Sequence, residues 1–131
     1  MKVLIKRDNH TIKFFIGEPL SAANKYAKKH LKLQEDDTYC NEADNEGASY
    51  MYRGKAVIWV HEEAANCPIN LYKTLFHEIL HVCFHLDKYW EDDEPPVRYD
   101  ACIKSEASFI GMAESLFGEV LTKIVKKYGG N

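Results

Sequence analysis

Residues 74–83 read Thr74-Leu75-Phe76-His77-Glu78-Ile79-Leu80-His81-Val82-Cys83, an H-E-x-x-H pattern inside an apolar run. The periodicity predicts a helix from about Ile69 to Leu86. Asn66 or Cys67 is its N-cap and Pro68 sits in its first turn. Positions i and i+4 of a helix lie one above the other, so His77 and His81 can aim two imidazoles at one metal ion. Glu78 is about 100° further round and reaches the same place from the side. It is thus placed to touch a metal-bound water without taking a coordination position. Zinc lowers the pKa of such a water, and Glu78 is the catalytic base that takes its proton. Chance produces this short pattern in about 2% of chains of this composition, so its setting matters. Leu75, Phe76, Ile79, Leu80, Val82, Cys83 and Phe84 make nearly all the rest of the helix apolar. Three titratable groups on the remaining narrow face of a buried helix are costly without a purpose.

Upstream, Lys2 to Ile16 reads as a β-hairpin turning at Asp8-Asn9-His10. A helix follows from Glu18-Pro19 to about Leu33, with Ala23, Tyr26, Ala27, His30 and Leu31 near one face. Thr38–Glu42, Ala48–Tyr52 and Lys55–Val60 read as a meander of strands, and KAVIWV at 55–60 carries the strongest β signal. Downstream, Tyr89 to Pro96 is an acidic, proline-ended loop. A second long helix runs from about Val97 to Tyr128, with an apolar stripe through Ala101, Phe109, Ala113, Leu116, Phe117, Val120, Leu121 and Ile124. The order predicts one α+β domain over residues 1–131, with the helices on one face of a small antiparallel or mixed sheet.

Composition narrows the function classes. The chain has 131 residues, 46% hydrophobic and 28% charged, with 17 Lys and Arg against 20 Asp and Glu. A net charge of −3 argues against a broad basic surface, and no nucleic-acid partner is expected. No apolar run approaches the roughly 20 residues of a membrane span. The short apolar stretch near the N-terminus, Val3-Leu4-Ile5, is too short for a signal-peptide core, so a cytoplasmic location is expected. Cys40, Cys67, Cys83 and Cys102 lack paired spacing and read as free thiols. His10 and His30 read as surface residues, His61 as a strand end, and Trp59 and Tyr52 as packing residues.

The stretch 74–83 resembles the longer signature of the zincin metallopeptidases, which has Thr or Val three residues before the first His and an uncharged pair after Glu. The element order also resembles the minimal zincin core of small phage- and prophage-associated metallopeptidases and of the ImmA/IrrE-type domain. The resemblance implies zinc (Zn2+), a cleft along an edge strand and hydrolysis of a peptide or protein substrate. Lys55–Val60 is the strand expected to hold that peptide.

Two histidines require a third protein ligand. His85 continues the His77, His81 series but lies about 12 Å from His77 along the axis. Asp87 falls where the metzincin pattern has its last ligand, but Phe84 stands where that pattern needs a glycine turn. The resemblance to gluzincins places a ligand Glu on the following helix, which here is Glu106. Asp100, Asp92, Asp93 and Glu94 remain rivals. The Asp that gluzincins often place four residues after that Glu is Ile110 here, so a carboxylate orienting a metal-bound His comes from Asp100 or Glu114, or is absent. Tyr99 and His85 are weaker candidates for stabilising an oxyanion. Two other functions compete: a zinc hydrolase of a non-peptide bond such as a phosphodiester, and a catalytically inactive zinc-binding interaction module.

Overall fold

A computed structural model describes residues 1–7, 9–38, 42–90 and 99–128; the side chains of 44, 87–90, 99–110 and 128 lie outside the described set. The chain is α+β, built on a mixed four-stranded sheet. β1 (Lys2–Lys6) and β2 (Thr11–Ile16) form the expected antiparallel hairpin, with Ile5 opposite Ile12. α1 (Leu20–Leu31) then crosses over, and Lys32 closes it in the left-handed region at φ 58°. β3 (Gly47–Tyr52) and β4 (Lys55–Val60) form a second hairpin. The sheet order is β1-β2-β4-β3, with β2 and β4 parallel. α2 (Glu62–Ala65), α3 (Pro68–Trp90) and α4 (Tyr99–Tyr128) complete the chain.

β4 is central rather than an edge, which corrects its expected role in holding a peptide. Its sequence explains the placement. A strand covered on both faces reads as a continuous apolar run, not an alternation. Ala56, Ile58 and Val60 face one core with Leu75, Ile79, Val82, Leu116 and Val120 of α3 and α4. Val57 and Trp59 face the other, against Ala23, Ala27 and Leu31 of α1. Helices therefore lie on both faces of the sheet, not one. The edge strand beside α3 is β3.

Three other expectations change. At the described ends of the expected strand Thr38–Glu42, neither Thr38 nor Glu42 is in a strand. Short 3-10 turns occupy Glu35–Asp37 and Glu42–Asp44, and residues 39–41 lie outside the described set. Local hydrogen bonds outcompete strand pairing there: Asp37 Oδ2 accepts from Gln34 N at 2.8 Å, and Thr38 Oγ1 donates to the Glu35 carbonyl at 3.0 Å. α2 was not foreseen; His61 Nδ1 caps it by accepting from Glu63 N at 3.0 Å. α3 runs on to Trp90, four residues past the expected end, and residues 91–98 of the acidic loop lie outside the described set. The α4 stripe holds where it is described: Ala113, Leu116, Val120 and Ile124 are buried and Phe117 and Leu121 half-buried, while the side chains of Ala101 and Phe109 lie outside the described set. Arg7 ties α4 to the first hairpin through Glu119 at 3.1 Å and Ser115 at 3.2 Å. Among the described residues no helix is long and apolar enough to cross a membrane.

His10 is buried, not on the surface. Its Nδ1 hydrogen-bonds Asn9 Oδ1 at 3.0 Å, so Nδ1 carries the proton and Nε2 is a buried acceptor with no partner among the described residues. Burial, and then the charge of Arg7, hold its pKa below the ordinary value. A proton therefore binds the unfolded chain more readily than the native one as the pH falls through about 6.5. The stabilising contribution is present above that pH and is lost on acidification. The stability advantage of the wild type over His10→Gln should shrink between about pH 8 and about pH 5 in denaturant titrations. A difference that stays constant or grows across that range would contradict this account of His10.

Candidate metal centre

The site is built where α3 crosses the edge strand. The buried stripe of α3 runs Leu71, Leu75, Ile79, Val82 and Leu86, spaced three and four apart. Glu78 lies within this stripe and is 6% exposed. It is the one buried carboxylate among the described residues. His77 and His81 lie outside the stripe and are exposed. This corrects the premise that the helix is buried all round: Ile69, Tyr72, Phe76 and Phe84 are also exposed on it. The three motif residues divide as their angular positions dictate, the imidazoles outward and the carboxylate inward.

The two rings meet. His77 Nε2 and His81 Nε2 are 3.1 Å apart, with ring centroids at 4.7 Å and planes at 78°. Two metal–nitrogen bonds of about 2.05 Å spanning that gap would open an angle of about 98°, within reach of tetrahedral coordination. Glu78 Oε1 lies 4.0 Å from His77 Nε2, too far for a direct hydrogen bond and close enough to share a small bound group. Glu78 Oε2 is buried with no hydrogen-bond partner among the described residues. An orphaned carboxylate oxygen is costly, and a ligand in the adjoining cleft would satisfy it. Burial pushes the Glu78 pKa up; a hydrogen bond with the Ser49 side chain and the nearby His77 and His81 pull it down. The donor set thus fits a divalent ion on two imidazoles with a carboxylate beside it.

Gly47 makes this contact possible. A Cβ there would lie 2.7 Å from Thr74 Cγ2, 3.1 Å from the Trp59 carbonyl oxygen and 3.2 Å from Glu78 Cγ. Its absence lets α3 approach β3 closely enough for Ser49, on the same face of the strand, to reach Glu78. A cleft of about 310 Å3 opens here, lined by Glu46, Gly47, Lys73, Thr74, His77 and Glu78. Sequence reasoning missed Gly47 and Ser49. The first reads as a turn glycine after Asp44-Asn45-Glu46, the second as an ordinary strand residue, and only the strand–helix contact gives them a role.

His85 turns away from the other two histidines. Its Nε2 donates to the Arg53 carbonyl at 2.9 Å, at the far end of β3. The metzincin route through Asp87 fails as well, because α3 continues unbroken through Phe84 to Trp90. Glu106 falls on α4, which packs along α3 and brings Phe117 against Phe76 at 5.5 Å. The side chains of Glu106, Asp87, Asp100 and Tyr99 lie outside the described residues, as do Asp92, Asp93 and Glu94 entirely. Among the described residues no three His, Cys, Asp or Glu side chains group as a complete metal site. Glu114 is exposed on α4. His61 caps α2, and Trp59 is fully buried with Nε1 donating to the Glu18 carbonyl at 2.7 Å. Compared with known protein families, curated proteins and solved structures, the chain matches none of them.

The clash at position 47 yields a test. Gly47→Ala should destabilise the fold by about 1–3 kcal/mol, the usual cost of overpacking. Thr74→Ser, which removes the methyl group nearest the new Cβ, should recover part of that loss in the double variant. Additive losses in a denaturant-based double-mutant cycle would refute the contact.

Proposed function

We propose that the chain is a minimal zincin-like peptidase, acting on a peptide or protein substrate in the cytoplasm. The observation that carries this reading is the pair of imidazole nitrogens 3.1 Å apart beside a buried carboxylate whose Oε2 has no partner among the described residues. His77 and His81 would hold zinc, and Glu106 is proposed as the third ligand. Bound there, zinc would supply Lewis acidity, making water a stronger acid and the scissile carbonyl a better electrophile.

The remaining work falls to the chain's own residues. Glu78 takes a proton from the attacking water and delivers it to the departing amine nitrogen. Its opposed influences suit that traffic: burial favours the neutral acid, while Ser49, His77 and His81 favour the carboxylate. Oε2, with no partner among the described residues, is left for the reacting group. β3 replaces β4 as the strand that aligns substrate. It is the sheet edge next to the cleft, and an extended peptide paired to it would pass the motif histidines.

Two measurements on each preparation test the reading. Glu78→Gln should retain zinc by elemental analysis and lose about 10²- to 10⁴-fold in peptide or casein cleavage, the range for loss of a general base. His77→Ala should lose both metal and activity, and a chelator should silence the wild type reversibly. Zinc-dependent cleavage that persists in Glu78→Gln would sink the mechanism. Wild-type protein that takes up no zinc would sink the metal centre itself.

A further inference from the structure

The net charge of −3 conceals a division along the chain. Residues 1–34 carry eight Lys and Arg against two acids, and residues 35–131 carry nine against eighteen. The fold concentrates the basic part on one face. α1 packs chiefly over β4 and β3, and that side of β1 keeps Lys2 and Lys6 exposed. A groove of about 450 Å3 follows the boundary. Lys2, Lys13 and Phe15 form its floor; Lys25, Tyr26 and Lys29 of α1 form its wall. His30 lines this groove and also a second cleft of about 470 Å3, where Lys32, Arg53 and Lys55 gather beside Tyr52. No Asp or Glu lines either cleft among the described residues.

Aromatic rings stand between these cations. Tyr26 and His30 stack with centroids 4.1 Å apart and planes tilted by 30°. Lys13 Nζ lies 5.7 Å from the Tyr26 ring and 6.0 Å from that of Phe15. At the other end Arg53 lies 5.5 Å from the half-exposed Tyr52 ring. Cations repeated along a groove match a chain of phosphates, and the exposed His30 ring and the half-exposed Tyr52 ring among them match unpaired bases. A duplex hides its base faces. A basic face that docks on an anionic membrane carries Trp, Phe or Leu beside its cations to enter the acyl boundary. Among the described residues lining these clefts only Phe15 is of that kind, and it is buried. The metal centre lies across the sheet, on the α3 side.

We propose that this two-cleft basic face binds single-stranded nucleic acid, its phosphates tracking the lysines from Lys25 and Lys29 to Lys32 and Lys55, with a base stacking on the Tyr26–His30 pair.

Fluorescence anisotropy of the full chain with labelled oligo(dT) and oligo(U) tests this, alongside a duplex of equal length and phosphatidylserine vesicles. Binding should be saturable at low salt. Its log K should fall with log salt at a slope of about −3 if four or five phosphates are neutralised. Lys25→Glu with Lys29→Glu should weaken binding by at least about tenfold, and His30→Ala should weaken it severalfold at an unchanged salt slope. The control pair Lys123→Glu with Lys126→Glu, on α4, should bind as the wild type does. Thermal melts establish that each variant folds; if the Glu pair does not, Lys25→Gln with Lys29→Gln replaces it. Four outcomes overturn the proposal: no oligonucleotide binding at low salt, duplex bound as tightly as single strand, vesicles bound where oligonucleotide is not, or equal losses in the α1 and α4 variants.

Discussion

A buried carboxylate needs a reason, and Glu78 sets the constraints that the neighbouring structure obeys. It occupies a position in the apolar stripe of α3 that a leucine would fill without cost. Placing a charge-bearing group there requires a partner on the facing strand, and Ser49 supplies one. Bringing Ser49 within reach requires the helix to settle on the strand, and Gly47 permits that approach. The same rotation that turns Glu78 inward turns His77 outward at the rim of the cleft and His81 outward one turn further on. The motif is therefore a division of labour between two sides of one helix rather than a single polar face.

The central strand carries the second constraint. Because β4 is apolar on both faces, the sheet must be covered on both, and α1 must cross to the side opposite α3 and α4. Twelve residues of α1 cannot cover four strands. They protect β4, β3 and Phe15 of β2, where Val57, Trp59, Ala48 and Tyr50 are also buried, and leave β1 with one wet face. The burial pattern of β1 registers this directly, with Val3 and Ile5 inside and Lys2, Leu4 and Lys6 outside.

Much of this was legible in the sequence because it is local. The first hairpin, the span of β4 and the H-E-x-x-H spacing depend on residues within a few positions of one another. What could not be read depends on contacts between distant segments. KAVIWV announces a strand and its double burial, yet a meander and a parallel crossover place the same six residues differently. The reading as a meander made β4 an edge, and only the pairing of Ile12 with Ala56 and Ile58 with Phe14 moves it to the centre. Gly47 and Ser49 look ordinary until α3 is laid across them. His10 follows a turn and reads as exposed, but the β3–β4 turn closes over its loop: Gly54 approaches so tightly that a Cβ there would lie 2.7 Å from the Asn9 carbonyl oxygen. At Thr38 the reason is the opposite, since short-range side-chain hydrogen bonds over residues 34–38 defeat a weak strand pattern. Glu106 rests on family resemblance alone, because its partners would lie 25 and 29 positions away.

Electrostatics obeys the same distinction between local and global. At physiological salt a charge is felt over about 8 Å, well short of the width of a domain this size. A bound anion therefore responds to the few side chains nearest it, and the chain's sum of −3 says little about any one surface. Net charge excludes a uniformly basic molecule but not a segregated one. Here the segregation follows the fold: the basic N-terminal segment forms the outer hairpin and α1, while the acids collect in the segments that follow. A sheet with helices on both faces keeps the two regions apart, so the cleft beside Glu78 and the lysine-lined groove can be occupied without competing for the same space.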